Sequence, residues 1–334
     1  MSDNFENKPV GSLKSAECML RHPINPILSK KHIPYQAELI SNAGVAKYQG
    51  RYVMVFKNQF PVTPDEKWPS GVNLGLAFSM DGVAWEVEPE PWYSLHDDEV
   101  NAVYDPRITI LEGRCYLTLA VETRHGLQCG IALTEDFETP EFIQLSLPDN
   151  RNSVLFPEKI GGSYFRLDRP FPMYSRGNSE IFDTWISASP DLIYWGKHRL
   201  LLPVEKVPFA NMKTGPGAPP VKTSKGWLTT FHAVDFDPSR GKNGWEDKWQ
   251  KRYTAGIMLL DIDDPGKIKG ICPTPLLTPE AAYETEDGFR NNVIFPTGMI
   301  LEDSGEVKIY YGAADAHFCL ATADVGDLLK LCGA

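Results

Sequence analysis

R-I-T-I-L-E-G-R-C-Y-L-T-L runs from Arg107 to Leu119. A short apolar strand enters a Glu-Gly-Arg turn and leaves through a second strand rich in β-branched and aromatic residues, the pattern of a β-hairpin. The same pattern recurs four times: G-V-A-K-Y-Q-G-R-Y-V-M-V-F from Gly44, L-F-P-E-K-I-G-G-S-Y-F-R-L from Leu155, A-P-P-V-K-T-S-K-G-W-L-T-T-F from Ala218, and I-F-P-T-G-M-I-L-E-D-S-G-E-V-K-I-Y-Y from Ile294. Each is followed by a further apolar strand that runs into an Asp-bearing turn: from Gly75, Gly130, Trp185, Gly256 and Cys319. Five units of two hairpins, at intervals of roughly 50 to 75 residues, match four-stranded propeller blades with variable loops.

The expected fold is therefore all-β, a five-bladed β-propeller forming a single domain over residues 1–334. Its blades fall roughly at 40–90, 104–145, 153–202, 215–270 and 291–330, and a strand from the N-terminal segment is a candidate to complete the last blade. A β-sandwich with some helix would not repeat paired hairpins in the same order. Gly and Pro punctuation leaves a helical period only around Asp324 to Leu331.

Composition narrows the function. With 33 Lys and Arg against 44 Asp and Glu, the net charge of −11 argues against nucleic acid or an anionic membrane as partner, since both need a basic footprint. Any anion site must be built locally. Six cysteines, Cys18, Cys115, Cys129, Cys272, Cys319 and Cys332, show no Cys-x-x-Cys spacing, so neither a zinc site nor a disulfide framework is expected. The opening M-S-D-N-F-E-N-K-P-V lacks a basic stretch followed by an apolar core, and an unexported, cytoplasmic protein is the expectation. Eight Trp and 13 Tyr suit planar contacts with carbohydrate as well as ordinary core packing.

In an antiparallel hairpin, the start of the first strand and the end of the second lie at one edge. First-strand starts carry Asn42, Asp105 with Arg107, Arg151 with Asn152, Lys213, and Asn291 with Asn292; second-strand ends carry Lys57, Glu122, Arg169, His232 and Asp315. All would converge on one mouth of the central channel. Singly, each has a plain structural reading: Asp105 as a turn cap, Arg107 as its ion-pair partner, Asn291 and Asn292 as loop polarity. Arg151, Arg169, Lys213 and His232 come from the third and fourth repeats and form a local basic group that suits a tetrahedral oxyanion; structural ion pairing of Arg151 and Arg169 is the alternative. G-P-G at 215–217 is not followed by the residues of a phosphate-binding P-loop. Asp105 is the carboxyl beside this group, and a bound phosphate would supply the nucleophile that an ordinary glycosidase takes from a second carboxylate.

These residues resemble glycoside hydrolase family 130, the β-mannoside phosphorylases and related mannosidases. The resemblance covers the chain from N-P-I-L near Asn25 to Asp315. It is carried by Y-D-P-R (104–107), R-N-S-V-L-F-P-E-K (151–159), L-D-R-P (167–170), S-P-D-L-I-Y-W-G (189–196), K-T-G-P-G-A-P-P (213–220), N-N-V-I-F-P-T-G (291–298) and Y-Y-G-A-A-D (310–315). It implies a five-bladed propeller and inverting phosphorolysis, in which a β-mannoside and phosphate give α-mannose 1-phosphate and the acceptor sugar. Asp105 matches the family's general acid, whose proton passes through the mannose 3-hydroxyl. Arg151, Asn152, Arg169, Lys213 and His232 match its phosphate-binding positions, and Asn42 and Asp315 those that hold the mannosyl unit; Lys57 joins this sugar-binding set at the rim.

No metal or cofactor is implied beyond phosphate as co-substrate, and the partners expected are a β-linked mannobiose or oligosaccharide and phosphate, with a homo-oligomer left open. The rival activity is an inverting β-mannosidase using Asp105, a second carboxylate and water; a non-catalytic propeller module is a third reading, which predicts that the rim charges diverge. The sequence also departs from the family. Phe56-Lys57 stands where the family often has Phe-Arg, and His232-Ala233-Val234 where His-Gly-Val is usual. A polar insertion from about Asp235 to Arg252 carries Trp245 and Trp249, either to line an acceptor site or to contact another subunit.

Overall fold

Two-residue turns define the hairpins. Gln49–Gly50, Glu112–Gly113 and Gly161–Gly162 all have positive φ, the backbone of the primed turns whose twist matches that of the strands they join. Tyr48 therefore pairs with Arg51, and Leu111 with Arg114. The Asp-bearing turns are equally local. Ser79 Oγ accepts from the Gly82 amide and Asp81 Oδ1 from Val83 and Ala84; Ser189 and Asp191 repeat this pattern with Leu192, Ile193 and Tyr194. These aspartates hold turns together, far from any chemistry.

The computed structural model describes residues 10–66, 68–172, 174–176, 180–241 and 249–334. Its strands form five antiparallel sheets, the blades of a five-bladed β-propeller. Blade 1 runs Leu39–Tyr48, Arg51–Phe60, Gly71–Ser79 and Glu86–Val87; blade 2 runs Val100–Leu111, Arg114–Thr123, Gly126–Thr134 and Glu141–Leu145. Blade 3 comprises Asn150–Leu155, Tyr164–Pro170, Thr184–Ser189 and Gly196–Leu202. Blade 4 comprises Lys213–Pro216 and Val221–Thr223 on one strand path, then Gly226–Phe236, Lys251–Leu260 and Ile268–Ile271. Blade 5 holds Ile294–Leu301, Glu306–Ala313 and His317–Asp324, and the N-terminal segment completes it: Leu20–Arg21 pairs with Thr322–Ala321, and Leu28–Ser29 with Phe318–His317. The ring is thus closed by the two ends of the chain, and Arg21 locks the seam by reaching Glu284 at 2.8 Å and Glu280 at 2.9 Å. The helix Val325–Leu331 follows, capped by Asp324 on the Gly326 amide.

Apolar residues fill the wedges between blades. Leu228, Ile257, Ile294 and Tyr311 share one cluster, Phe156, Trp227 and Phe231 another, and Met54, Phe56 and Tyr310 a third. The hairpin Gly226–Phe236 to Lys251–Leu260 stays in register as far as Phe236 opposite Lys251, so the chain leaves for the polar insertion and returns from it on two paired strands. Trp245 lies outside the described residues.

Candidate active site

At the start of the first strand of blades 1, 2 and 3 the register slips: between Ser41 and Gly44, Tyr104 and Arg107, and Arg151 and Val154. Within these three irregularities sit Asn42, Asp105 and Asn152, with φ of 54°, 55° and 61°. Asn and Asp tolerate the left-handed region better than other side-chain-bearing residues, and a bulge re-aims the side chain at its apex. Asn292, with φ of 60°, repeats the conformation just before the first strand of blade 5. This is why a carboxylate interrupts an otherwise buried strand at Asp105: the bulge turns it into the mouth. Gly44 permits the close approach of blade 1, since a Cβ there would stand 2.9 Å from the Pro106 carbonyl oxygen.

Asp105 is buried and bound on both oxygens. Asn42 Nδ2 donates to Oδ1 at 2.7 Å and Arg151 Nη2 to Oδ2 at 2.5 Å. Burial pushes its pKa up, but Arg151, Lys57, Arg107 and the Asn42 hydrogen bond together bring it below the ordinary aspartate value. Its ion-pair partner is Arg151 and not the adjacent Arg107, whose Nε reaches the Gly217 carbonyl at 3.0 Å and whose Nη1 reaches Pro106. Arg107 therefore ties blade 2 to blade 4 beneath the mouth.

From Arg151 the basic group continues inward. Arg151 Nε donates to Asn152 Oδ1 at 3.1 Å. In L-D-R-P, strand alternation sends Asp168 into a buried cluster with Ser153, Ser187 and Arg166, and sends Arg169 the other way, to His232. The His232 ring gives Nδ1–H to the Pro216 carbonyl at 3.0 Å, leaving Nε2 to accept from Arg169 Nη1 at 3.1 Å. Burial, Arg169, Arg107 and Lys213 hold this imidazole neutral, its pKa well below the usual value. Gly215 faces His232 across the strands; a Cβ there would lie 2.3 Å from His232 Cε1 and 2.8 Å from Arg169 Cδ. Burial and the neighbouring Arg151 charge lower the Arg169 pKa to about 10. Two donors in this region, Asn152 Nδ2 and Arg169 Nε, are buried with no hydrogen-bond acceptor. Lys213 lies over the Phe182 ring, and its ammonium meets Glu180 at 2.8 Å.

On the other side of Asp105, a cavity of about 410 Å³ is lined by Asn42, Lys57, Tyr104, Glu122, Arg151 and Asp315, with Trp68, Phe289 and Arg290 at its wall. Lys57 sits 4.5 Å from the Tyr104 ring centroid, and Tyr104 donates to Glu122 at 3.0 Å. Arg290 Nη1 meets Asp315 Oδ2 at 3.3 Å. Burial nevertheless raises the Asp315 pKa, against the opposing charges of Arg290 and Lys57.

A model of glycoside hydrolase family 130, described as β-1,4-mannooligosaccharide phosphorylase, matches residues 28–334. The chain belongs to glycoside hydrolase family 130. A β-1,4-mannooligosaccharide phosphorylase of Ruminococcus albus is 33% identical over 333 residues, covering 95% of this chain and 92% of the relative. A β-1,2-mannobiose phosphorylase of Listeria innocua is 30% identical over 258 residues, 77% of this chain and 67% of the relative. Among solved structures, a β-1,2-mannobiose phosphorylase from Listeria innocua in complex with β-1,2-mannobiose superposes with a TM-score of 0.80 at 24% identity, covering 94% of this chain and 99% of that one, a likeness of fold.

The family-130 chain thus brings Asn42, Lys57, Asp105, Arg151, Asn152, Arg169, Lys213, His232 and Asp315 to one mouth. Other rim residues serve the framework. Asn291 is held by loop bonds to Gly288 and Glu286 and accepts from Trp249 Nε1 through its carbonyl; the Asn292 carbonyl accepts from the Tyr253 amide. Trp249, expected either to stack on an acceptor or to contact another subunit, is buried against Tyr253 at 5.9 Å with the rings 9° from parallel. It packs behind the cavity wall, with the Arg290 guanidinium 4.9 Å from its ring centroid. Trp68, Phe289, Arg290, Glu180 and Lys251 escaped the sequence reading. Trp68 lies on the connection between the second and third strands of blade 1 and Phe289 and Arg290 on that between blades 4 and 5, and the last two meet only through a contact spanning 71 residues. Only Arg290 carried a signal, as the residue immediately before N-N-V-I-F-P-T-G.

Proposed function

We propose that this chain is an inverting β-mannoside phosphorylase. Phosphate attacks the anomeric carbon of a β-linked mannosyl unit, the C1–O bond to the acceptor breaks, and α-mannose 1-phosphate leaves with the shortened or released acceptor. Asp105 supplies the proton that the departing oxygen needs, relayed through the mannose 3-hydroxyl. Arg151, Asn152, Arg169, Lys213 and His232 hold the phosphate, while Asn42, Lys57 and Asp315 hold the mannosyl unit. The five blades act as one catalytic domain.

The observation that carries this reading is the pair of buried donors without acceptors, Asn152 Nδ2 and Arg169 Nε, set beside Arg151 and Lys213. A buried donor left unpaired costs about 1–3 kcal/mol, a cost that an oxyanion accepting several charge-assisted bonds removes. Water, with one oxygen and no charge, matches that donor set poorly. The names of the relatives, all phosphorylases of β-mannosides, support the same choice over a mannosidase.

Arg151 gives the mechanism its coupling. While it is paired to Asp105, the carboxyl is held ionised and cannot donate. When a phosphate dianion engages Arg151, that stabilisation weakens and a second negative charge stands nearby. Both changes raise the carboxyl pKa, so phosphate binding loads the acid. Free thiols at all six cysteines support action in a reducing compartment, the cytoplasm. No helix among the described residues is long and apolar enough to cross a membrane.

The test is to incubate β-1,4- and β-1,2-mannobiose with and without phosphate and assay α-mannose 1-phosphate. Formation of the sugar phosphate only with phosphate is expected. Release of free mannose at the same rate without phosphate would overturn the reading in favour of hydrolysis.

A further inference from the structure

Glu180 lies on the connection between the second and third strands of blade 3, outside every motif that builds the mouth. A single oxygen, Oε2, accepts from two ammonium groups: Lys213 Nζ at 2.8 Å and Lys251 Nζ at 2.9 Å. The three side chains differ in exposure. Lys213 is 10% exposed, Lys251 22% and Glu180 45%. The buried ammonium is the one that faces Arg169; the more exposed one lies over the Trp249 ring at 5.6 Å. The hydrogen bonds from both lysines outweigh the effect of burial and hold the carboxyl down at about 2, so it is an anion throughout the working range of the protein.

A buried lysine beside an arginine needs a counter-charge when no ligand is bound. A carboxylate that touches the same ammonium must also be displaced, at least in part, before phosphate can use it. We infer that Glu180 is an internal counter-anion of the phosphate site, holding Lys213 in the empty enzyme and transferring its contact to Lys251 when phosphate takes Lys213. This rests on the phosphorolytic reading given above. Lys251 is then a positioning residue, which touches Glu180 and not phosphate. The arrangement also confers selectivity. An anion that draws only on Lys213 must pay the whole cost of displacing Glu180, whereas a tetrahedral dianion recovers it from Arg151, Asn152 and Arg169 as well.

The experiment is a double-mutant cycle on the full chain with Glu180→Gln and Lys251→Ala, reading the KM for phosphate, the KM for mannoside, and the phosphate Kd by titration calorimetry. Ion pairs of this exposure are weak, so Glu180→Gln should tighten phosphate by about three- to tenfold with the mannoside KM unchanged. Lys251→Ala should weaken phosphate by a similar factor in the native background, because Glu180 then rests on Lys213 alone, and should have no effect once Glu180 is Gln. Nitrate, a monoanion, should inhibit Glu180→Gln more strongly than the native enzyme. A phosphate Kd that is unchanged or weaker in Glu180→Gln overturns the inference, as does an equal loss from Lys251→Ala in both backgrounds, which would put Lys251 on the phosphate itself. Native enzyme that turns over without phosphate would instead defeat the functional reading, a result visible before any variant is made.

Discussion

Blades 5, 1 and 2 and blades 3 and 4 line opposite sides of the same mouth, and their charges are handled differently. On the first side Asp315 meets Arg290, Tyr104 meets Glu122, and Lys57 lies over the Tyr104 ring. On the second, Arg169 Nε and Asn152 Nδ2 face no acceptor, His232 is kept neutral among three cations, and the Glu180 carboxylate reaches Lys213 from a loop. A polyol is neutral and is recognised by dipoles already paired with one another. A phosphate is a dianion and is recognised by cations whose partners are few or removable. Asp105 sits on the seam, bound by Asn42 from one side and Arg151 from the other, and the largest effect is expected where the two sides meet. Asp105→Asn matches the carboxylate in shape, keeps one accepting oxygen for Arg151 and Asn42 to share, and carries no acidic proton to give. Turnover of an unactivated mannobiose should fall by about 10²- to 10⁴-fold, and the melting temperature should drop because the buried pair with Arg151 is lost while the variant still folds. An aryl mannoside with a good leaving group should lose much less. Equal loss on both substrates would remove Asp105 from the role of acid.

Next in size are two substitutions that should separate the sides. Arg169→Lys retains the charge and gives up the fork. Phosphate KM should rise about tenfold, the equivalent of one charge-assisted bond, with mannoside KM within about twofold. Asp315→Asn should do the reverse, raising mannoside KM about tenfold and sparing phosphate. Initial-rate kinetics with each substrate varied in turn reads both. If each variant moved both constants together, the mouth would be one undivided site and the comparison would fail.

Much of this was legible in the sequence for a physical reason. Two-residue turns require glycine or another residue tolerant of positive φ, so Q-G, E-G and G-G mark the hairpins, and the hairpins mark the blades. The rim was legible because hairpin geometry returns second-strand ends to first-strand starts, which placed Asp105, Arg151, Arg169, Lys213 and His232 together without any knowledge of the turns between blades. What strand alternation cannot report is the partner of a side chain. Asp105 has Arg107 two residues away and pairs with Arg151, 46 residues on. Trp249, in a polar stretch, reads as part of an acceptor site or a subunit contact and is instead buried on Tyr253. Glu180 has no periodic or motif signal at all, because its meaning lies in two lysines from blade 4.

A backbone substitution gives a smaller and more local test of the anion side. Gly215→Ala places a methyl group against the His232 ring and the Arg169 stem. Those side chains must shift, at a cost of about 1–3 kcal/mol for overpacking, so the melting point should drop by a few degrees. Phosphate KM should rise severalfold, and mannoside KM should hold. A well-folded variant with native phosphate KM would show that the placement of the Arg169–His232 pair does not matter to the anion.

The smallest effect concerns the proton that His232 refuses. In the unfolded chain a histidine takes up a proton below about pH 6.5, whereas the folded site, with burial, Arg169 and Lys213 against it, keeps the ring neutral to well below that value. Between the two pKa values the unfolded state binds the extra proton, so this contribution to stability is complete above about pH 6.5 and declines as the pH falls, by about 1.4 kcal/mol per pH unit. Carboxylates add their own acid sensitivity, Asp105 among them, since its depressed pKa stabilises the fold only while it stays ionised. The informative quantity is therefore the difference between native protein and His232→Gln, which has no ring to protonate. From pH 7 to pH 5 the native chain should lose about 2 kcal/mol more than the variant, seen as a melting curve that falls faster by a few degrees. Saturating phosphate should narrow that gap, because a dianion among these cations favours the protonated ring in the folded state. Parallel curves for the two proteins would mean that His232 protonates freely in the fold, and the neutral acceptor for Arg169 that organises the anion side would be lost with it.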